Sequence, residues 1–211
     1  EKSVNYEVGT RFNLGKLVGE FVGFFNDYSN LLGSDLAATG GTGSLDQFNA
    51  GEVNVNGIEI LLNYNFSNEN AKFSWPVSFG YTFTNTKFQN SFGSSDGLWG
   101  VVTTGDELPY IPKHQLNAAV SLEHKSFEIN LNARFNGEFR TLAGTGSIPD
   151  NAKVDSNFII DVSGKYFLTK NFMLTANIIN LLDATYAVSR VPAGLRPGHP
   201  FGAYAGFDFR F

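Results

Sequence analysis

The joints between the strands constrain this sequence more than anything inside them. Alternation of apolar and polar residues with period two predicts strands at about 3–13, 16–29, 49–66, 71–89, 113–124, 126–140, 154–168, 171–182 and 199–211. Tight joints near Asn13-Leu14-Gly15, Ser67-Asn68-Glu69-Asn70, His124-Lys125 and Thr169-Lys170 alternate strictly with long ones at about 30–48, 90–112, 141–153 and 183–198. A soluble β-sandwich has no reason to alternate in this way. A membrane-spanning barrel does, because its hairpins place short turns on one side of the bilayer and long loops on the other.

The alternation itself is sharpest at the end of the chain. Phe201, Ala203, Ala205, Phe207, Phe209 and Phe211 occupy the odd positions, whereas Gly202, Tyr204, Gly206, Asp208 and Arg210 occupy the even ones. In a strand these sets lie on opposite faces. Residues 127–136 repeat the pattern, with Phe127, Ile129, Leu131, Ala133 and Phe135 against Glu128, Asn130, Asn132, Arg134 and Asn136. One phase break occurs: Val53 and Val55 share a face with Gly57, but Ile58, Ile60, Leu62, Tyr64 and Phe66 carry the apolar pattern onward at even positions. A bulge near Gly57 would reconcile the two halves.

Composition removes the competing classes. No apolar run approaches the roughly 18 residues of a transmembrane helix, although aromatics make up 15% of the chain. Twenty-one Phe and eight Tyr beside 23 Gly suit strands against an apolar medium joined by turns. Cys is absent, which excludes disulfides, thiolate metal sites and Cys nucleophiles. A net charge of −5 with no Lys/Arg cluster argues against a nucleic-acid partner. The opening Glu1-Lys2-Ser3-Val4-Asn5-Tyr6 already reads as a strand rather than a signal peptide. The fold class is therefore all-β, an antiparallel transmembrane β-barrel. An odd strand count fits poorly with closure in lipid, where bacterial single-chain barrels have even numbers. We therefore expect the chain to be one piece of a larger barrel.

Several short motifs point to a family. Asn5-Tyr6-Glu7-Val8-Gly9, Phe24-Phe25-Asn26-Asp27-Tyr28-Ser29-Asn30 and Val55-Asn56-Gly57-Ile58-Glu59 come first. Pro112-Lys113-His114, Asn180-Leu181-Leu182-Asp183 with Tyr186, Arg196-Pro197-Gly198 and the terminal Phe211 follow. In this order they resemble the TonB-dependent outer-membrane receptors, across essentially the whole chain. The long loops look most like those of the ferric-dicitrate branch. The similarity is carried by Asn30-Leu31-Leu32-Gly33-Ser34-Asp35 through Gly40-Gly41-Thr42-Gly43, by Gly105-Asp106-Glu107-Leu108-Pro109-Tyr110, and by Arg190-Val191-Pro192-Ala193-Gly194-Leu195.

That resemblance implies a barrel of about 22 strands with a plugged lumen, of which residues 1–211 would be the C-terminal part. It implies a TonB-energised importer of a ferric chelate, either a siderophore or ferric dicitrate. A passive porin, or another outer-membrane barrel without a plug, is the alternative. The plug and the segment that meets TonB would lie on residues absent from this chain. Expected partners also include outer-membrane lipid and lipopolysaccharide, and the assembly machinery through Phe211. The chain would be multi-pass in the bacterial outer membrane with a periplasmic C-terminus.

An anionic chelate is best held by bidentate Arg helped by polar donors. Arg140, Arg190 and Arg196, with His199 nearby, are the candidates on the long-loop side, and Arg140 leads because its parity continues that of Arg134 and Glu138. The alternative is that these are ordinary loop cations, or that Arg196 ties its loop to a neighbouring strand, since surface Arg is common and usually structural. Arg134, Glu138, Asp161, Lys165, Asp208 and Arg210 should face the lumen, as a hydrated wall, as ion pairs or as contacts to a plug. The Gly40-Gly41-Thr42-Gly43 run has no following Lys-Ser/Thr and reads as a loop tip rather than a phosphate loop. The three histidines fall at different ends of their strands and the carboxylates are scattered. We therefore expect no catalytic site, no metal site and no resident cofactor.

Overall fold

The computed structural model describes residues 1–34, 47–49, 51–68, 71–93, 101–190 and 194–211. The expected tip at Gly40-Gly41-Thr42-Gly43 lies outside these residues, as do Asp35, Glu69-Asn70 and Val191-Pro192-Ala193. Nine long strands follow one another as an antiparallel meander. They are β1 (Lys2–Leu14), β2 (Leu17–Ser29), β3 (Val53–Asn65), β4 (Pro76–Phe88) and β5 (His114–His124), then β6 (Phe127–Asn136), β7 (Asn157–Phe167), β8 (Phe172–Ile179) and β9 (Gly202–Phe209). Each pairs with its neighbours in sequence, as expected. Among the described residues β1 and β9 each have a strand on one side only, so the sheet is open.

The tight joints have a local cause. Leu14 pairs with Leu17 and His124 with Phe127, which leaves the two-residue turns Gly15-Lys16 and Lys125-Ser126. At Gly15 φ is +70°, the left-handed region that a residue without Cβ enters most readily. Phe73–Ser74, just before β4, adds a short pairing to the end of β5.

Register carries the alternation across the sheet. Thr10, Phe21, Ile60, Tyr81, Leu116, Phe135 and Phe158 form one cross-strand row on the apolar face. Ser121, Asn130, Ser163, Asn177 and Tyr204 form a row on the polar face. The apolar face is bare: Val8 is 82% exposed and Phe207 72%. A water-soluble domain of this size would not leave so large a continuous apolar patch uncovered.

The bulge expected near Gly57 is not formed. Pairing runs unbroken through Phe24↔Gly57↔Thr84 and Gly23↔Ile58↔Phe83, so the phase break is not a slip in register. The two faces exchange character instead. Beyond Ile58 the apolar face continues as Asn56 and Asn54, with Asn85 Nδ2 donating to Asn56 Oδ1 at 3.1 Å. On the opposite face Val53 and Phe88 become fully buried against Val102, with Leu31, Val55, Phe92 and Leu108 packed around them. The loops fold over the polar face there and need apolar side chains beneath them. Gly57 itself is required by close approach, since a Cβ would stand 1.9 Å from the Phe83 carbonyl oxygen and 2.7 Å from Phe24 Cζ.

This exchange sets the height of the apolar band. From Ile58 to Phe66 the chain rises about 26 Å at ~3.3 Å per residue, or about 20 Å after a strand tilt of ~40°, close to the apolar girdle of an outer-membrane barrel. Aromatics collect at the short-turn end: the Tyr64 and Phe66 rings lie 4.4 Å apart, Phe73 lies against Phe127, and Phe172 lies against Phe207 and Phe209.

The expected strand over 126–140 is interrupted. β6 ends at Asn136, and Phe139–Arg140 then pairs with Lys153–Val154. This short ladder keeps the register of β6 and β7, in which Asn136 opposes Asn157 and Phe139 opposes Val154.

Candidate functional site

The candidate site is the rim where the four long connections meet, and their backbone bonds explain its construction. The connection between β4 and β5 turns back on its strand through Phe88 N to Asp106 O and Gly105 N to Phe88 O, both 2.8 Å. Leu108 N donates to Thr86 Oγ1 at 2.9 Å, and Asp106 Oδ2 accepts from Thr103 N at 2.8 Å. The same segment reaches the next connection through Glu107 N to Gly144 O and Tyr110 N to Arg140 O, at 2.9 and 2.8 Å. Gly105-Asp106-Glu107-Leu108-Pro109-Tyr110 is thus a fastener between two loops.

The last long connection is closed by Asn180. Its side chain is fully buried; Nδ2 donates to the carbonyls of Ala184 and His199 at 2.9 and 3.0 Å, and Oδ1 accepts the Ala184 amide at 2.9 Å. Asp183 Oδ1 accepts the amide of Phe201 at 3.2 Å, and Tyr186 Oη accepts that of His199, also at 3.2 Å. Gly198 lies under the Tyr186 ring, where a Cβ would come within 2.0 Å of Cζ. Asn180-Leu181-Leu182-Asp183, Tyr186 and Arg196-Pro197-Gly198 therefore form a clasp that sets the chain up for β9.

Arg140 is buried, its side chain 5% exposed, and its charge is taken up locally. Nε pairs with Glu107 Oε2 at 3.0 Å and an NH2 group donates to Gly146 O at 3.1 Å. Lys113 takes the other Glu107 oxygen at 2.5 Å. Burial alone would raise the Glu107 carboxyl, but hydrogen bonds from Lys113 and Arg140, with their charges, outweigh it and hold the group below the usual carboxylate range. Glu107 and Lys113 enter the site as structural partners. Neither stands out in the sequence except as part of the Gly105–Tyr110 and Pro112–His114 motifs.

Arg190 Nε donates to the Lys153 carbonyl at 2.9 Å. Lys153 is in turn ringed by Asp155, Asp150 and Glu138 at 3.1, 3.5 and 3.8 Å. The hydrogen bond and charge of Asp155 raise the Lys153 pKa, and Asp150 and Glu138 add to the effect. Arg140 opposes Lys153 across the short ladder, so Arg140 and Arg190 meet through this lysine. Arg196 is exposed, opposes Ser189, and makes no ion pair among the described residues. His199 is exposed and its Nδ1 lies 2.6 Å from the Pro200 carbonyl.

Below the rim, the charged residues expected on the polar face are largely paired with one another. Arg134 bonds Asp161 Oδ2 at 2.7 Å, Lys165 meets Glu128 at 3.5 Å, and Arg210 meets Asp208 at 3.5 Å. Arg11 and Glu20 form a two-point pair at 2.9 and 3.0 Å. Asp161 does a second job, accepting the backbone amide of Asn180 on Oδ1 at 2.9 Å. Glu138 lies beyond β6 and turns to Lys153 instead.

Arg140 and Glu107 lock the two loops together. Arg140→Ala removes two charge-assisted hydrogen bonds from a buried site, and should weaken the closed state of these two loops by about 2–3 kcal/mol. Glu107 stabilises the folded loops above its unfolded pKa, and this contribution is lost as pH falls through its lowered folded value. The lock should therefore hold at neutral and mildly acidic pH. Hydrogen exchange at residues 105–110 and 140–146 should accelerate in Arg140→Ala, and unchanged exchange would refute the lock.

The chain matches the family described as TonB dependent receptor-like, beta-barrel, over residues 1–181. It is 25% identical over 201 residues to the ferrienterobactin receptor of Escherichia coli (strain K12), covering 87% of this chain and 24% of that protein. Among solved structures, the ferric citrate transporter FecA in its unliganded form superposes with a TM-score of 0.73 at 18% identity, over 100% of this chain and 31% of that one. The siderophore receptor PiuA from Acinetobacter baumannii gives 0.72 at 19% identity, over 98% of this chain and 28% of that one. The chain thus spans about a quarter of the length of the curated relative it matches. With a family match across most of its strands, the chain belongs to the TonB-dependent receptor β-barrels.

Proposed function

We propose that these nine strands are part of the barrel wall of an outer-membrane importer that takes up a ferric chelate and is energised through TonB. The observation that carries this reading is the rim: the described parts of the second, third and fourth long connections are cross-fastened above an apolar band about 20 Å high, over a wall whose polar face is lined by ion pairs. A simple pore would need the wall but not the fastened loops. In this reading the short turns and Phe211 face the periplasm. The plug and the contact with TonB lie on residues outside this chain, and Phe211 is read by the outer-membrane assembly machinery.

Arg140, Arg190, Arg196 and His199 are the basic groups the rim can offer to an anionic chelate. Arg140 and Arg190 already hold loops, so their part would be to shape the site. Arg196 and His199 are exposed, and in this reading they make the contact. The test is titration of the complete receptor with ferric dicitrate and with a ferric catecholate, at low and high ionic strength. Arg196→Ala should weaken binding by about tenfold, through loss of one charge-assisted hydrogen bond of ~1.5 kcal/mol, and salt should weaken it further. Preference between the two chelates assigns the ligand. Uptake that is passive and unchanged in cells lacking TonB would overturn the importer reading in favour of a porin.

A further inference from the structure

The two oxygens of Asp161 serve different parts of the fold. Oδ2 takes Arg134 at 2.7 Å, and Oδ1 takes the backbone amide of Asn180 at 2.9 Å. Arg134 lies on the polar face of β6, half-exposed, directly opposite Asn117 of β5 and Ile159 of β7. Asn180 is fully buried, one residue beyond the end of β8, and its side chain closes the last long loop through Ala184 and His199. A single carboxylate therefore joins a solvated cation on the wall to the residue on which the clasp depends.

The two bonds depend on one another. A carboxylate is planar, so holding one oxygen on the Arg134 guanidinium fixes where the other points. It points at the Asn180 amide, where φ is +51° and the chain turns away from β8. Leu181 N still reaches Ile160 O at 2.7 Å, so the backbone ladder ends beside this carboxylate. Asp161 is itself partly exposed, and once Arg134 leaves it the side chain can turn to water. A second carboxylate on the polar face can compete for the guanidinium from the side of Asn117, which is exposed. We infer that Asp161 is a positioning residue that ties the last long loop to the lumen: a carboxylate drawn to Arg134 from the lumen loosens the Asn180 clasp, and with it the segment that carries Arg196 and His199. The coupling is reciprocal, so an opened loop leaves Arg134 more readily taken. That the polar face is a lumen rests on the barrel reading above.

The experiment reads hydrogen exchange of Asn180 and of residues 183–190 in the complete receptor with no chelate present, so its failure leaves the importer reading standing. Asn117→Glu sets a carboxylate directly opposite Arg134, within reach across the strand pair, and Asn117→Gln is its uncharged control. Asn117→Glu should speed exchange by about threefold, the scale of one partly exposed ion pair, and Asn117→Gln should leave it unchanged. Arg134→Gln should give the same acceleration, whereas Arg134→Lys, which keeps the charge, should stay near wild type. On the Arg134→Gln background Asn117→Glu should add nothing, which separates a relay through Arg134 from general loosening of the wall. Should Asn117→Glu fail to fold, the two Arg134 variants carry the test. Wild-type exchange in folded Asn117→Glu or Arg134→Gln, equal acceleration by Asn117→Gln, Arg134→Lys as fast as Arg134→Gln, or additive effects in the double variant overturns the assignment.

Discussion

Asn180→Ala should destabilise the last long loop and β9 by about 3–5 kcal/mol, the largest effect expected of any single truncation at the rim. The Asn180 amide satisfies three backbone groups, Ala184 N, Ala184 O and His199 O, in a fully buried position. Each would be left unpaired at a cost of about 1 kcal/mol or more. Asn180 also holds φ at +51°, where Asn is tolerated and Ala pays about 1 kcal/mol. Asn180→Gly separates the two contributions, because it removes the hydrogen bonds while relieving the backbone. Urea unfolding of the reconstituted barrel, with limited proteolysis of residues 183–198, measures both. Wild-type protease resistance in Asn180→Ala would refute the clasp.

Leu131→Arg, midway along β6, should cost about 2–4 kcal/mol near the middle of the bilayer. Leu131 lies between Val120 and Val162 on the apolar face and is exposed, so no neighbouring protein group is available to receive the charge. Asn177→Arg, on the polar face opposite Ser163 and Tyr204, should be nearly neutral. The contrast matters more than either value, since both substitutions add the same charge to the same sheet. Equal effects in bilayer unfolding titrations would mean that the two faces do not differ in solvent.

The strands were legible because lipid and water impose opposite requirements on alternate residues. Hence Leu131 and Asn132 could be assigned to opposite faces from sequence alone. The phase change at Gly57 is visible in the sequence, but its cause is not. A bulge and a change in what covers each face leave the same trace in a one-dimensional pattern, and only the register through Gly57↔Thr84 separates them. The rim was legible as motifs rather than as contacts. The parity of Arg140 says nothing of Glu107, 33 residues earlier, and Asn180 and Arg190 are held by main-chain carbonyls, of Ala184, His199 and Lys153, which every residue type carries alike. Arg196 was found by charge alone, and its exposure keeps it available.

As part of a barrel wall, this sheet should meet lipid on one face and a polar lumen on the other. Spin labels placed singly at residues 129–134 of β6 in the complete receptor test it most directly, because β6 is an interior strand paired on both sides. Labels at Ile129, Leu131 and Ala133 should be accessible to oxygen dissolved in the bilayer and shielded from a water-soluble nickel reagent. Labels at Asn130, Asn132 and Arg134 should lack that oxygen accessibility. Nickel accessibility at Leu131, or no alternation along the six positions, would show that the two faces do not meet different solvents.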